Sequence, residues 1–205
     1  MTPFLSACKM GLASGLALLL ASCATMSPEE CQLANWREVG QRDGVRGEPL
    51  AILGRRAEDC AKVHVGIDQQ AYQQGRTLGL RSYCRWENAV PLGLSGASYS
   101  GVCSPDIESI FIPRYQTARA VYLLRNEVQS MDQQTQSLER RLQELRHDEE
   151  QRLRNIDSEA ERNKIRRSLD DERNRIRDDL RNIDRRLQRK REDLRAAEFN
   201  LTQLR

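Results

Sequence analysis

From Arg114 to the C-terminus, apolar residues recur in alternating steps of three and four, in two separate runs. The first is Val121, Leu124, Val128, Met131, Leu138, Leu142 and Leu145, with Thr135 in the same frame. The second is Leu169, Ile176, Leu180, Ile183, Leu187, Leu194, Ala197, Leu201 and Leu204. This spacing is the seam of a coiled coil. The two runs are out of phase, and residues 146–164 between them hold only Leu153, Ile156 and Ala160 as apolar positions. Ser158-x-x-Glu161 has the form of a capping box, which starts a helix. The pattern predicts a hairpin turning near Asp157–Ala160. It pairs Leu142 with Ile176, Leu138 with Leu180, Met131 with Leu187 and Leu124 with Leu194. No Gly or Pro marks the turn, so one continuous helix, about 138 Å long at 1.5 Å per residue, is the alternative.

Upstream the pattern is that of shorter helices. Ser27-Pro28-Glu29-Glu30 combines a cap, a proline suited to the first helical position and a capping-box glutamate. It predicts a helix running to about Arg42 and stopping near Asp43-Gly44. Glu48-Pro49 opens a second helix, with Leu50, Leu53 and Ala57 on one face, ending near Val63. Asp68 precedes a third, to about Tyr83. Trp36, Gly40 and Gly44 are spaced four apart, as are Ala71, Gly75 and Gly79. Each set lines one helix face, where glycine lets another backbone come close. Asn88–Gly96, rich in Pro, Gly and Ser, reads as a loop.

Composition shifts sharply within the chain. All 12 glycines precede Arg114, and no Pro or Cys follows it. The boundary between a head, residues 28–113, and a stalk, 114–205, is therefore set at about Pro113. The predicted class is mainly α: a small disulfide-stapled helical head followed by a long, charged coiled-coil hairpin. The net charge is only +3, with both signs interleaved along the stalk. That suits a solvated helix surface and argues against nucleic acid as a partner.

The N-terminus has the layout of a secretory signal. Lys9 supplies charge, and Met10–Leu20 is a largely apolar run, too short to span a bilayer as a helix. Leu20-Ala21-Ser22-Cys23 resembles the lipobox of bacterial lipoprotein precursors. Leu5-Ser6-Ala7-Cys8 also fits the pattern, but its apolar run lies after it. The resemblance implies that residues 1–22 are removed and that residues 23–27 form a lipidated N-terminus. Cys23 would carry a thioether-linked diacylglycerol and an N-acyl chain such as palmitate, and no other cofactor is expected. Two or three chains anchor stably where one does not. Ala24, rather than Asp, after the lipid site resembles the sorting signal for an outer-membrane destination.

Cys31, Cys60, Cys84 and Cys103 remain. An even number of cysteines in an exported chain reads as two disulfides. No two of them are close enough in sequence for the usual zinc pairs. Cys31 near the start of the first helix and Cys60 near the end of the second meet if those helices are antiparallel. That selects Cys31–Cys60 and Cys84–Cys103 out of three connectivities.

Chemistry is sparse. His64 and His147 sit in no metal spacing, and there is no nucleophile elbow or P-loop. Asp43, Asp59 and Asp68 could meet in the folded head, but surface or capping roles account for them better.

Three stretches carry a family resemblance: Trp36-x-x-x-Gly40-x-x-Asp43-Gly44, Tyr72-x-x-Gly75-x-x-x-Gly79-Leu80-x-x-Tyr83-Cys84, and Gly96-x-x-Tyr99-x-Gly101-x-Cys103. Together they resemble a family of proteobacterial envelope lipoproteins catalogued as a domain of unknown function. The resemblance covers about residues 26–125. It implies an exported, non-enzymatic protein and brings no catalytic residue. The expectation is an outer-membrane-anchored, periplasm-facing lipoprotein acting as a structural or protein-interaction module. Its partners would be the membrane through the lipid, and a protein or a second copy through the coiled coil. The alternative is a small-ligand or cell-wall-binding head, with Leu92–Tyr99 as the site.

Overall fold

The computed structural model describes residues 24–204. Residues 1–23, with the expected signal segment and the expected lipid site Cys23, lie outside the described residues. Within the described residues, seven α-helices follow in order: α1 (Pro28–Gln32), α2 (Trp36–Arg46), α3 (Ala51–Ala61), α4 (Gln69–Tyr83), α5 (Ala89–Leu94), α6 (Pro105–Leu153) and α7 (Glu159–Thr202). A 3-10 turn, Trp86–Asn88, precedes α5. There is no strand among the described residues. The chain divides into two compact units, one holding α1 and α3, the other α2 and α4–α7.

In the first unit, Ser27 caps α1 reciprocally with Glu30, as its sequence predicts. The helix then stops at Gln32, ten residues short of the expectation. The interruption has a local cause: Asn35 accepts a bond from the Glu38 amide and starts α2 afresh. Cys31 is bonded to Cys60, joining α1 to the end of α3, and both residues are buried (2% and 0% exposed). Thr25 donates from its amide and its hydroxyl to Asp59, at 2.7 and 2.9 Å, while Arg56 donates to the Thr25 carbonyl. Leu50, expected inside the second helix on one face with Leu53 and Ala57, precedes α3 and is exposed. His64 closes α3 in the left-handed region (φ 61°), with Val65 bonding back to the Cys60 carbonyl. That is a Schellman turn without its usual glycine.

In the second unit, α2 and α4 lie side by side and run in the same direction. The register is read from the glycines. A Cβ on Gly40 would collide with the Tyr72 carbonyl and one on Gly44 with that of Arg76; from the other helix, Gly75 meets the Arg37 carbonyl and Gly79 that of Gln41. The two glycine faces seen in the sequence therefore face each other. α2 ends at Gly47 (φ 68°), where the Tyr83 ring fills the space a side chain would need.

α6 runs unbroken through Pro113, so the compositional step there is not a break between elements. An internal proline costs a helix about 3 kcal/mol or more. Here the same helix buries Phe111, Tyr115, Ala118 and Val121 on either side of it, and that burial outweighs the lost bond. The end of α7 returns to this region. Leu194, Ala197, Leu201 and Leu204 pack with Ala118 and Val121 of α6 and with Val90 and Leu94 of α5. The last residues of the stalk thus belong to a core shared with α5.

α6 and α7 form an antiparallel hairpin. Leu138, Leu142 and Leu145 pack with Ile165, Leu169, Ile176 and Leu180. Arg141 reaches Glu172 at 2.9 Å, Arg191 reaches Asp132 at 2.9 Å, and Lys190 reaches Glu127 at 2.7 Å. The continuous-helix alternative is excluded by these contacts. The turn lies at 154–158, just before the expected centre. Ser158 accepts from the Glu161 amide, and the Arg162 guanidinium donates to the Leu153 and Ile156 carbonyls, both at 3.1 Å. An arginine thereby satisfies the exposed end of α6 in place of a glycine turn.

Candidate functional site

The segment from Asn88 to Gly96 is not the loop its composition suggests. It holds α5, with Ala89 fully buried and Gly93 pressed against the Tyr115 carbonyl and Ala118. Pro91 sits in the first turn, where a backbone N–H has no helical partner to lose. Packing against α6 overrides the turn signal.

The stretch after α5 is strapped down by α6. Tyr115 donates to the Ala97 carbonyl at 2.9 Å and accepts from the Tyr99 amide at 3.2 Å. Arg119 donates to the carbonyls of Gly96 and Ala97 and to the Tyr115 hydroxyl. Tyr99 donates to Glu108 at 2.6 Å and accepts from the Cys103 amide at 3.0 Å. Its ring lies 5.1 Å from Phe111 and 6.0 Å from Tyr115, centre to centre. Burial, then the bond to Glu108, pushes the Tyr99 phenol up to about 12; burial also raises Tyr83. The expected binding loop, Leu92–Tyr99, is therefore covered by side chains of α6 packed around Tyr99. Glu108, Phe111, Tyr115 and Arg119, which cover it, belong to none of the sequence motifs. Their spacing of three and four on α6 is a legible signal, but a boundary at Pro113 splits them between two regions.

The motif residues prove largely architectural. Asp43 is 1% exposed and accepts from Tyr72 at 2.9 Å. Asp68 caps α4 through the Ala71 amide. Asp59 is held well below the usual carboxylate range by the bond from Lys62, then by those from Thr25. Each carboxylate thus has a local partner. Among the described residues, no group of three or more His, Cys, Asp or Glu is arranged to hold a metal.

A cleft near the second cystine is open to solvent. Cys84 caps the end of α4, and Cys103 immediately precedes Ser104, the cap of α6. The two are joined, closing a 19-residue separation. A cleft of about 390 Å³ opens over the bridge, lined by both cysteines with Leu80, Arg81, Val102, Ser104 and Ile107. Among the described residues no carboxylate pairs with Arg81.

No curated protein and no solved structure matches the chain. Residues 35–120, from the cap of α2 to the base of α6, are similar to a family described as protein of unknown function (DUF2799).

Proposed function

We propose that this protein is a lipoprotein of the cell envelope, held at the periplasmic face of the outer membrane by acyl chains on Cys23. Its role there is that of a structural or protein-interaction module, not an enzyme. The observation that carries the reading is the conjunction of a lipobox-like Leu20–Cys23 with two cystines in the chain that follows it. Disulfides persist in oxidising compartments, and the anchor explains an apolar run too short to span a bilayer. No helix of the described residues is long and apolar enough to cross a membrane.

The hairpin favours an interaction role that does not need a second copy. Its Leu and Ile seam is covered within one chain, so the outer faces it offers a partner are charged. The cleft over Cys84–Cys103 supports a small-ligand head as the second reading.

Two experiments decide. Cys23→Ser should abolish acylation and release the protein from the membrane fraction; a mutant still bound to membranes and processed like wild type would overturn the anchor. Photo-crosslinkers at Ser137 and Asp179 on the hairpin, and at Trp86 on the head, should capture a partner from the hairpin positions. Crosslinks confined to Trp86, with a hairpin deletion silent, would favour the head as the binding element.

A further inference from the structure

The two disulfides differ in what surrounds them. Cys31–Cys60 is enclosed, with both residues 2% exposed or less. Cys84–Cys103 forms part of the wall of an open cleft about 390 Å³ in volume; Cys103 is partly exposed, and Cys84, 6% exposed, reaches solvent only through that cleft. We propose that Cys84–Cys103 is a site of reversible exchange with a small anionic thiol, and that the head keeps its fold when this bridge opens.

Three features of the cleft carry the proposal. The first is access, since exchange requires a thiolate to reach a sulfur. The volume is in the range of small-molecule sites, enough for a short thiol peptide. The second is charge. Arg81 lies in the wall with no carboxylate paired to it among the described residues, so it attracts an anionic thiol over a neutral one. The third is polarity between the two sulfurs. Cys103 adjoins the N-terminus of α6, a 49-residue helix, and Cys84 sits at the C-terminus of α4. A helix N-terminus favours a thiolate and a C-terminus disfavours it. Cys103 is therefore the better leaving group, and the better leaving thiol departs faster.

The order of events follows. A thiolate, R–S⁻, attacks Cys84 Sγ. The S–S bond breaks, its electron pair leaves on Cys103 Sγ, and a mixed disulfide R–S–S–Cys84 forms. A second R–S⁻ displaces Cys84 and gives R–S–S–R with two protein thiolates, the cystine having taken two electrons from two thiols. The reverse reaction restores the bridge.

The fold does not depend on this bridge alone. Gly93 is seated on α6, Arg119 holds the Gly96 and Ala97 carbonyls, and Tyr115 holds Ala97 and Tyr99. The segment between the cysteines stays docked when they separate.

The test uses the full chain in detergent. Reduced glutathione is added for timed intervals, free thiols are blocked with N-ethylmaleimide, and peptides are mapped. Cys84 and Cys103 should be modified at least about tenfold faster than Cys31 and Cys60. The glutathione adduct should sit on Cys84, and the helical circular dichroism should not change. Both bridges opening together, Cys31–Cys60 opening first, an adduct mainly on Cys103, or loss of helix on opening would overturn the proposal. Arg81→Gln should slow glutathione about threefold while leaving the neutral thiol 2-mercaptoethanol unaffected; an equal effect on both thiols would refute the preference for an anion.

Discussion

Where α2 meets α4, the atoms in contact are backbone: Gly40, Gly44, Gly75 and Gly79 each abut a carbonyl or amide of the other helix. Where α6 meets α7, the atoms in contact are Leu and Ile side chains flanked by Arg–Glu and Arg–Asp pairs. The first pair has no room to relax, because a backbone that moves takes its whole helix with it. The second has flexible side chains and water along both edges. Close packing makes interiors intolerant of added volume, but only where the neighbour cannot yield. These two interfaces should therefore respond very differently to mutation.

The largest effect is expected at the glycine crossing. Gly75→Val places carbon where the Arg37 carbonyl stands and should cost about 3 kcal/mol or more. Denaturant unfolding monitored by circular dichroism would measure it. A loss under about 0.5 kcal/mol, on the order of an ordinary surface substitution, would mean that α2 and α4 are not held at this distance.

The hairpin should yield less. Leu169→Ala removes a buried side chain from the seam, yet the site is bordered by solvent and long polar chains that can close over the gap. The expected loss is about 2 kcal/mol, the low end for a core leucine. A loss equal to that of Gly75→Val would erase the contrast between the two interfaces.

Gly54→Ala sharpens the comparison with a change of sign. Gly54 lies inside α3, and nothing stands within 4 Å of the position its Cβ would take. Alanine there should stabilise the protein by about 0.5–1 kcal/mol, through helix propensity and a less flexible unfolded chain. Destabilisation in the same unfolding assay would show that helical glycines in this protein are not separable by their surroundings.

The smallest effect belongs to the ion pairs. Arg125 and Glu198 meet at 2.6 Å, but both are at least 40% exposed. Arg125→Gln should cost about 0.3 kcal/mol at low salt and nothing measurable at about 1 M salt. A salt-independent loss above about 1 kcal/mol would instead point to burial of the guanidinium stem.

Much of the local architecture is legible in single stretches of the chain. Ser27 and Asp68 cap the helices they announce, because a cap acts on amides two or three residues away. The heptads favour a hairpin over one continuous helix because their phase changes across a short apolar-poor stretch that Ser158 can restart. The positions of Cys31 and Cys60 at opposite ends of two short helices point to their bridge. The caps and the heptads depend on near neighbours or on a repeat that any window reveals, and the bridge only on two short helices lying antiparallel.

What the tertiary structure decided is which of several adequate local choices wins. α5 forms across Pro91 and Gly93, and α6 passes through Pro113, because each buries a face that exists only once the other is folded. The same mutual burial draws the end of α7 onto α5 and sets α2 parallel to α4. It also leaves one cystine enclosed and the other beside an open cleft. Glycines four apart and an even set of cysteines say that backbones or sulfurs can approach; which surface then covers them is settled by long-range packing, whose energy no single segment contains.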